Sequence, residues 1–242
     1  MRVDGVWKAF GSQAVLRGLD LEVPRGSTLS VMGGSGSGKT VLLRLTAGLI
    51  KPDRGWIQVL GVDTPPLREE ALLPLRRRMG FVFQGAALFD SLSVYENVAY
   101  PLREHARLPE DAVAVRVHRM LERVGLHDVD GKLPADLSGG MKKRVGIARA
   151  LVLEPELVLY DEPTAGLDPT NARLITELVL ALKGEGASET SMIATHDLEF
   201  ARAVSDLIAI LIAGRIAQIG PPDAVVHSRE RDVQAFLAGE LR

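Results

Sequence analysis

The chain has 242 residues, 46% hydrophobic and 25% charged, and is therefore long enough to bury the core of a large α/β domain. Its 29 basic and 31 acidic residues give a net charge of −2, which is not the basic footprint of a nucleic-acid-binding protein. The absence of cysteine excludes disulfide bonds and thiolate metal sites, and no apolar run reaches the roughly 18–20 residues that a membrane span needs.

Hydrophobic periodicity indicates three zones along the chain. The first, residues 3–62, is rich in short β-branched runs and contains a buried strand, Thr28–Met32, followed by a helix over residues 39–48. The second, residues 85–150, is mostly helical. The third alternates strands and helices again, over residues 157–160, 171–183, 191–194, 207–212 and 216–219. Apolar strands that alternate with helices predict a parallel sheet covered on both faces, into which the helical zone is inserted.

A phosphate-binding pattern, G-x-x-x-x-G-K-[ST], follows the strand Thr28–Met32. Its residues are Gly33, Gly34, Ser35, Gly36, Ser37, Gly38, Lys39 and Thr40. The glycines let backbone N–H groups turn toward phosphate oxygens, and the positive end of the next helix adds to the attraction. Lys39 is predicted to reach the β- and γ-phosphates, and the Thr40 hydroxyl to bind Mg²⁺. A flexible Gly-Ser turn is the alternative, but the position between a strand and a helix disfavours it.

Two adjacent carboxylates, Asp161 and Glu162, end the apolar strand of residues 157–160. Ligands of α/β sheets bind at such strand ends. Asp161 is therefore predicted to hold Mg²⁺, and Glu162 to polarise the attacking water as a general base or as a positioning group. The pair alone would also fit two solvated acids, so the interpretation depends on the phosphate loop.

The helical zone contains Ser138, Gly139 and Gly140 at the start of a basic helix over residues 142–151. A hydroxyl, bare N–H groups and a helix dipole that point the same way form an anion site. Taken in isolation, the segment fits an ordinary serine cap with a glycine-rich turn better than an anion site.

In this order, the segments resemble the ATP-binding cassette (ABC) ATPases. The resemblance covers about residues 3–220 and is carried by Phe10, the phosphate loop, Gln84, residues 137–140, residues 157–162, residues 165–168 and His196. It implies an α/β phosphate-loop NTPase with a mixed-sheet core, an antiparallel β subdomain and an inserted helical subdomain. The core would comprise residues 1–84 and 151–220, the helical subdomain residues 85–150, and a C-terminal helical tail residues 221–242.

The resemblance also implies roles, in a head-to-tail dimer that binds ATP and Mg²⁺. Ser138, Gly139 and Gly140 would contact the γ-phosphate on the partner copy, and Asp168 would line the dimer seam. Phe10 would stack on adenine, with Val41 beside the loop, while Trp7 is expected to pack on its sheet. His196 would contact the γ-phosphate, although alone it fits a satisfied polar residue. The implied catalytic set is Glu162, His196, Gln84 and Lys39, and the implied metal set is Thr40, Gln84 and Asp161.

Three sequence segments indicate a subfamily: LFDSLSVYENVAYPL, LSGGMKKRVGIARAL and YDEPTAGLDPT. They are similar to the bacterial Mla/Mkl-type, Mce-linked phospholipid-transport cassettes, with Met141 where glutamine is common. The resemblance implies a place on the cytoplasmic face of the inner membrane and a permease partner, and further an Mce-domain protein and a small regulatory subunit, with no nucleic acid. Phe89, Leu92 and Tyr95 are the candidate permease contacts, whereas Val94 and Val98 are expected in the core.

Two other functions remain open from the sequence. A cassette of another importer or exporter, for amino acids, metals or peptides, differs only in the flanking phrases. A soluble ABC ATPase that acts on DNA or ribosomes would usually carry a coiled-coil insertion or a second cassette, which the sequence lacks. The amphipathic tail, residues 232–241, is expected to pack on its own domain through Val233, Phe236 and Leu237.

Overall fold

The computed structural model describes residues 1–185 and 189–240, which form ten strands and nine α-helices. The strands are β1 (Arg2–Phe10), β2 (Gln13–Glu22), β3 (Thr28–Met32), β4 (Arg54–Val59), β5 (Val62–Asp63), β6 (Met79–Val82), β7 (Leu157–Asp161), β8 (Thr190–Thr195), β9 (Leu207–Ile212) and β10 (Arg215–Gly220). The helices are α1 (Lys39–Thr46), α2 (Glu69–Arg76), α3 (Val94–His105), α4 (Glu110–Arg123), α5 (Gly139–Leu151), α6 (Pro169–Glu185), α7 (Leu198–Val204), α8 (Pro222–Val226) and α9 (Arg231–Leu237).

A six-stranded mixed sheet forms the core, in the order β10-β9-β3-β8-β7-β6. The last five strands in that order run parallel, and only β10 is antiparallel to its neighbour. Strands β3, β7 and β8 are buried along their whole length, as expected for apolar strands with helices on both faces. The register pairs Met32 with Thr195 and Asp161 with Ala194, so the carboxyl ends of β3, β7 and β8 lie at one edge.

A four-stranded antiparallel sheet, in the order β2-β1-β4-β5, packs beside this core. Strands β1 and β2 form a hairpin in which Phe10 pairs with Gln13, across a turn that contains Gly11 in the left-handed conformation. A side chain at Gly38 would come within 2.8 Å of Cδ2 of Leu16, so the phosphate loop lies directly against β2. The expected architecture, a mixed-sheet core with an antiparallel sheet beside it, is confirmed.

The helical zone packs through α3, α4 and α5, which share an apolar core. Val94 and Val98 are fully buried in it, as expected. Ser93 and Glu96 form a capping box at the start of α3. The described residues contain no helix long and apolar enough to cross a bilayer.

Several helix boundaries differ from the predicted ones, and the backbone gives the reason. Helix α1 ends at Thr46, before residue 48, because Gly48 adopts a positive φ of 66°. Helix α5 begins at Gly139 because the Ser138 hydroxyl accepts a hydrogen bond from the N–H of Met141. Helix α9 ends at Leu237, before Gly239, which also has a positive φ. Residue 241, the last of the predicted tail helix, lies outside the described residues.

Candidate functional site

An open cavity of about 810 Å³ lies where the carboxyl edge of the core sheet meets the β1–β2 hairpin. A volume of this size suits a small-molecule ligand. Its walls are Phe10, Gln13, Val15, Gly33, Gly34, Ser35, Gly36, Ser37, Gly38, Lys39, Thr40, Val41, Gln84, Glu162, His196 and Phe236.

The phosphate loop forms the floor of this cavity and wraps around the ammonium group of Lys39. The Lys39 Nζ atom donates to the carbonyl oxygens of Gly33 at 2.7 Å and Gly34 at 3.1 Å. Gly36 and Gly38 have positive φ values of 74° and 111°, which side chains other than glycine rarely adopt. Because the buried Ser37 hydroxyl has no hydrogen-bond partner among the described residues, the loop keeps a buried polar atom available to a ligand.

Two oxygen atoms beside the loop fit a hard divalent cation. The Thr40 hydroxyl donates a 2.8 Å hydrogen bond to Oδ1 of Asp161. Burial raises the pKa of the Asp161 carboxyl, and the hydrogen bond from Thr40 opposes that rise. Residues 1–185 and 189–240 contain no group of three or more His, Asp or Glu side chains that could hold a metal. Oxygen atoms of this kind are the ligands that Mg²⁺ takes in proteins, usually together with waters and substrate phosphates.

Glu162 lies one residue beyond β7 and makes contacts through all its polar groups. Its Oε2 atom is 2.8 Å from Nδ1 of His196, which donates to it when that nitrogen carries the proton. Its Oε1 atom is 3.6 Å from Nζ of Lys39. The backbone N–H donates to the carbonyl of Ala194 at 2.9 Å, which ties the residue to β8. Glu162 is 8% exposed, whereas the side chain of His196 is 65% exposed and faces the open cavity.

The segment that contains Ser138, Gly139 and Gly140 does not line this cavity. It lies instead beside the start of α6, where a side chain at Gly140 would come within 2.5 Å of Oδ1 of Asn171. Asn171 in turn donates a 2.5 Å hydrogen bond to Asp168, and these contacts hold the pKa of the Asp168 carboxyl below its usual range. Each chain therefore has two separate surfaces, the loop cavity and a signature surface formed by residues 138–140 and Asp168.

The remaining candidates occupy distinct places. Phe10 is 51% exposed at the mouth of the cavity, and Gln84 lines its side. Trp7 does not line the cavity and packs against Gly18 of the neighbouring strand, as expected. All four other histidines are exposed: His105, His118, His127 and His227.

Three residues of the cavity wall were missed by sequence reasoning. Gln13 and Val15 follow the turn after Phe10, so the hairpin pairing would have indicated them. Phe236 comes from α9, and its apolar pattern indicated burial without indicating which surface it would reach.

Comparison with known proteins decides what kind of site this is. The family model described as ABC transporter matches residues 16–165, well over half of the chain. The chain belongs to the ABC transporter family. The expectation of an ABC ATPase is thereby confirmed.

Named relatives of this cassette include transport proteins with different substrates. It is 37% identical over 239 residues to the probable ribonucleotide transport ATP-binding protein mkl of Mycobacterium leprae, covering 99% of this chain and 69% of that protein. It is 38% identical over 229 residues to the intermembrane phospholipid transport system ATP-binding protein MlaF of Escherichia coli, covering 95% and 85%. It is 42% identical over 243 residues to the methionine import ATP-binding protein MetN of Rhizobium meliloti, covering 98% and 67%. The similarity to Mla and Mkl cassettes is confirmed.

A solved structure shares the fold of this cassette over most of its length. The dimeric post-hydrolysis state of the ATP-binding cassette MJ0796, bound to ADP and Pi, superposes with a TM-score of 0.84 at 31% identity. The match covers 91% of this chain and 98% of that one.

Proposed function

We propose that this cassette hydrolyses MgATP at sites shared between two copies of the chain, and that hydrolysis drives a membrane permease for phospholipids. One observation carries the first half of the proposal. The loop cavity and the signature surface both have the character of anion sites, yet in one chain the second does not line the first. A head-to-tail pair lets each signature surface cover the cavity of the other copy, and a rotation by two-fold symmetry closes both at once.

The chemistry proposed for each residue follows from its geometry. Lys39 and the loop N–H groups bind the β- and γ-phosphates, and Phe10 stacks on the base. Thr40, Asp161 and Gln84 hold Mg²⁺, which would neutralise developing charge on the phosphates. Glu162 accepts a proton from the attacking water or orients it, and His196, 2.8 Å away, orients that carboxylate beside the γ-phosphate.

The dimeric MJ0796 cassette, bound to ADP and Pi, supports the assembly because it shares this fold. Nucleotide that contacts both copies only in the closed state would shift the population toward that state. Hydrolysis then removes the contacts made through the γ-phosphate, and the pair can reopen.

A mixing experiment tests whether the sites are shared. Lys39→Ala and Ser138→Arg should each abolish hydrolysis alone, because each homodimer would carry the same defect in both sites. In a mixed dimer, one site combines both defects, while the other combines an intact loop with an intact signature surface. Equal mixing should therefore restore about a quarter of wild-type turnover if the sites act independently. Mixtures that stay inactive, although mixed dimers form, would contradict the shared site.

The transported substrate is proposed to be phospholipid, and this proposal rests on the similarity to MlaF alone. The names of the relatives give different substrates: mkl is named for ribonucleotide transport, MetN for methionine import and MlaF for phospholipid transport. The phospholipid proposal implies a permease partner at the cytoplasmic face of the inner membrane, with an Mce-domain protein and a small regulatory subunit. Of the predicted permease contacts, Phe89 is exposed, whereas Leu92 and Tyr95 are half-buried. The ring of Phe89 lies 4.9 Å from that of Tyr100, which is also exposed on the helical zone, and the two rings offer an apolar contact to that permease.

Reconstitution distinguishes the substrates. The cassette should be purified with its permease from native membranes and placed in vesicles that contain labelled phospholipid. ATP-dependent lipid movement that is lost in Glu162→Gln supports the proposal. Stimulation of hydrolysis by methionine or by a ribonucleotide, without lipid movement, would favour another substrate.

A further inference from the structure

Helix α5 connects the two surfaces of the cassette. Its first turn contains Gly139 and Gly140 of the signature surface, and its later turns pack beneath Gln84 and Glu162. A helix is rigid along its axis, so it can carry a displacement from one end to the other.

The side chain of Lys143 lies in the interior, between Gln84 and Glu162. It is 6% exposed, and its Nζ atom donates to the carbonyl oxygen of Gln84 at 2.5 Å and to that of Glu162 at 3.0 Å. Burial lowers the pKa of this lysine, and the carboxylates of Glu162 and Asp161 oppose that change. The ammonium group therefore joins two segments that lie far apart in sequence and that both line the nucleotide cavity.

Two further residues of the same helix, Gly146 and Arg149, contact the segment after Gln84. Arg149 donates to the carbonyl oxygens of Ala86 at 2.9 Å and Ala87 at 2.8 Å. A side chain at Gly146 would come within 3.1 Å of the Cβ atom of Ala86, so the helix and this segment are in close contact. Ala86 and Ala87 have φ values of 61° and 48°, a conformation that alanine adopts only when its surroundings hold it there.

We propose that Lys143 is a positioning residue that fixes the distance between the backbone at Gln84 and the backbone at Glu162. Movement of α5, when the partner copy's nucleotide engages its first turn, would thereby be transmitted to the carboxylate that activates water. The inference rests on the roles proposed above for Gln84 and Glu162. Lys143 itself touches neither nucleotide nor water in this role.

A lysine suits this position for a physical reason. Its ammonium group has three donors on a long flexible stem, so one group can satisfy two carbonyls from different segments. Replacement by methionine keeps the length and the apolar stem but leaves both carbonyls without this donor. The segments would then lose their shared tether while the loop that binds ATP stays intact.

The test separates turnover from binding in the full chain. Lys143→Met should lower kcat by on the order of ten- to a hundredfold, because small displacements of catalytic groups have effects of that size. The Kd for ATP, measured by calorimetry, should stay within about twofold of wild type. Lys143→Gln, which keeps N–H donors, should recover part of the lost kcat. Lys142→Met is the matched control, since within the described residues Lys142 takes no part in these hydrogen bonds, and it should behave as wild type.

Each outcome decides the matter. A folded Lys143→Met variant with wild-type kcat would overturn the inference, as would an equal loss of ATP affinity and turnover. If Lys143→Met does not fold, the same comparison of kcat with Kd in Lys143→Gln decides. Turnover that survives Glu162→Gln would instead overturn the assignment of Glu162. If Glu162→Gln is inactive while Lys143→Met keeps full activity, the role of Glu162 stands and only the role proposed for Lys143 is rejected.

Discussion

At the scale of single residues, the conformation of Glu162 is the least expected feature. Its φ of 49° lies in the left-handed region, which costs a residue with a side chain roughly 1–2 kcal/mol. The N–H donates to Ala194, the carbonyl accepts from Lys143, and the carboxylate meets His196 and Lys39. Contacts on every polar group hold the strained backbone, and they aim the carboxylate into the cavity.

The neighbouring Asp161 allows a prediction about pH and stability. Burial raises its pKa above the ordinary value of 3.8, so ionisation costs the folded state free energy. The contribution of this group to stability is therefore complete at low pH and is lost as the pH rises through the folded pKa. Asp161→Asn removes the charge, so the nucleotide-free variant should melt roughly 1–3 °C above wild type at pH 7. The difference should shrink as the pH falls toward about 4.

Calorimetric scans at several pH values, without and with MgATP, check this. Asp168→Asn is the matched control of opposite sign, because hydrogen bonds from Asn171 lower the pKa of Asp168. The Asp168→Asn variant should have a melting temperature at pH 7 no higher than that of wild type. MgATP should raise the melting temperature of wild type but much less that of Asp161→Asn. A lower melting temperature for Asp161→Asn at pH 7 without nucleotide would contradict the argument.

At the scale of elements, the short helix α9 has two functions at once. Val233 is fully buried against the edge of the core sheet, in a cluster that includes Met32 and Ile210. Phe236 packs on the same cluster and also forms part of the wall of the loop cavity. The expectation that the tail packs on its own domain is confirmed. The structure adds that the tail reaches the loop cavity.

Removal of the Phe236 ring should therefore weaken nucleotide binding. Phe236→Ala should raise the Kd for ATP by about three- to tenfold, the size expected when an apolar aromatic contact is lost. Leu237→Ala is the matched control, because Leu237 packs on the same cluster without lining the cavity. Calorimetric titration of both variants with ATP provides the measurement. Equal effects in the two variants would indicate a general loosening of the tail and no contact with nucleotide.

The elements also explain how much the sequence could predict. The buried strands β3, β7 and β9 were predicted to within one residue, because apolar runs between turn residues have few alternatives. The positions of Lys39, Thr40, Asp161, Glu162 and His196 at one edge followed from the parallel order of the strands. The positive φ values at Ala86, Ala87 and Glu162 could not be predicted, since they depend on contacts with a helix distant in sequence. The position of Phe236 depends on tertiary packing in the same way.

At the scale of the whole molecule, the chain carries the two proposed halves of an ATP site on separate surfaces. The loop cavity opens beside the antiparallel sheet, and the signature surface lies at the junction of α5 and α6. The roles of individual site residues stay predictions, whereas the family, the fold and the ATPase class are confirmed. The periodicity and motifs of one chain can indicate each half-site, but they cannot indicate which surfaces of two copies meet.

The separation of these two surfaces also has a genetic consequence. Both chains of each assembled pair come from a shared pool, so a defective chain can pair with an intact one. If a chain with a defect on either surface is produced in equal amount with the intact one, about a quarter of the pairs carry two sound sites. If transport requires both sites of a pair, mutant alleles whose products fold and still associate should therefore interfere with the wild-type allele, while alleles that abolish folding should be recessive.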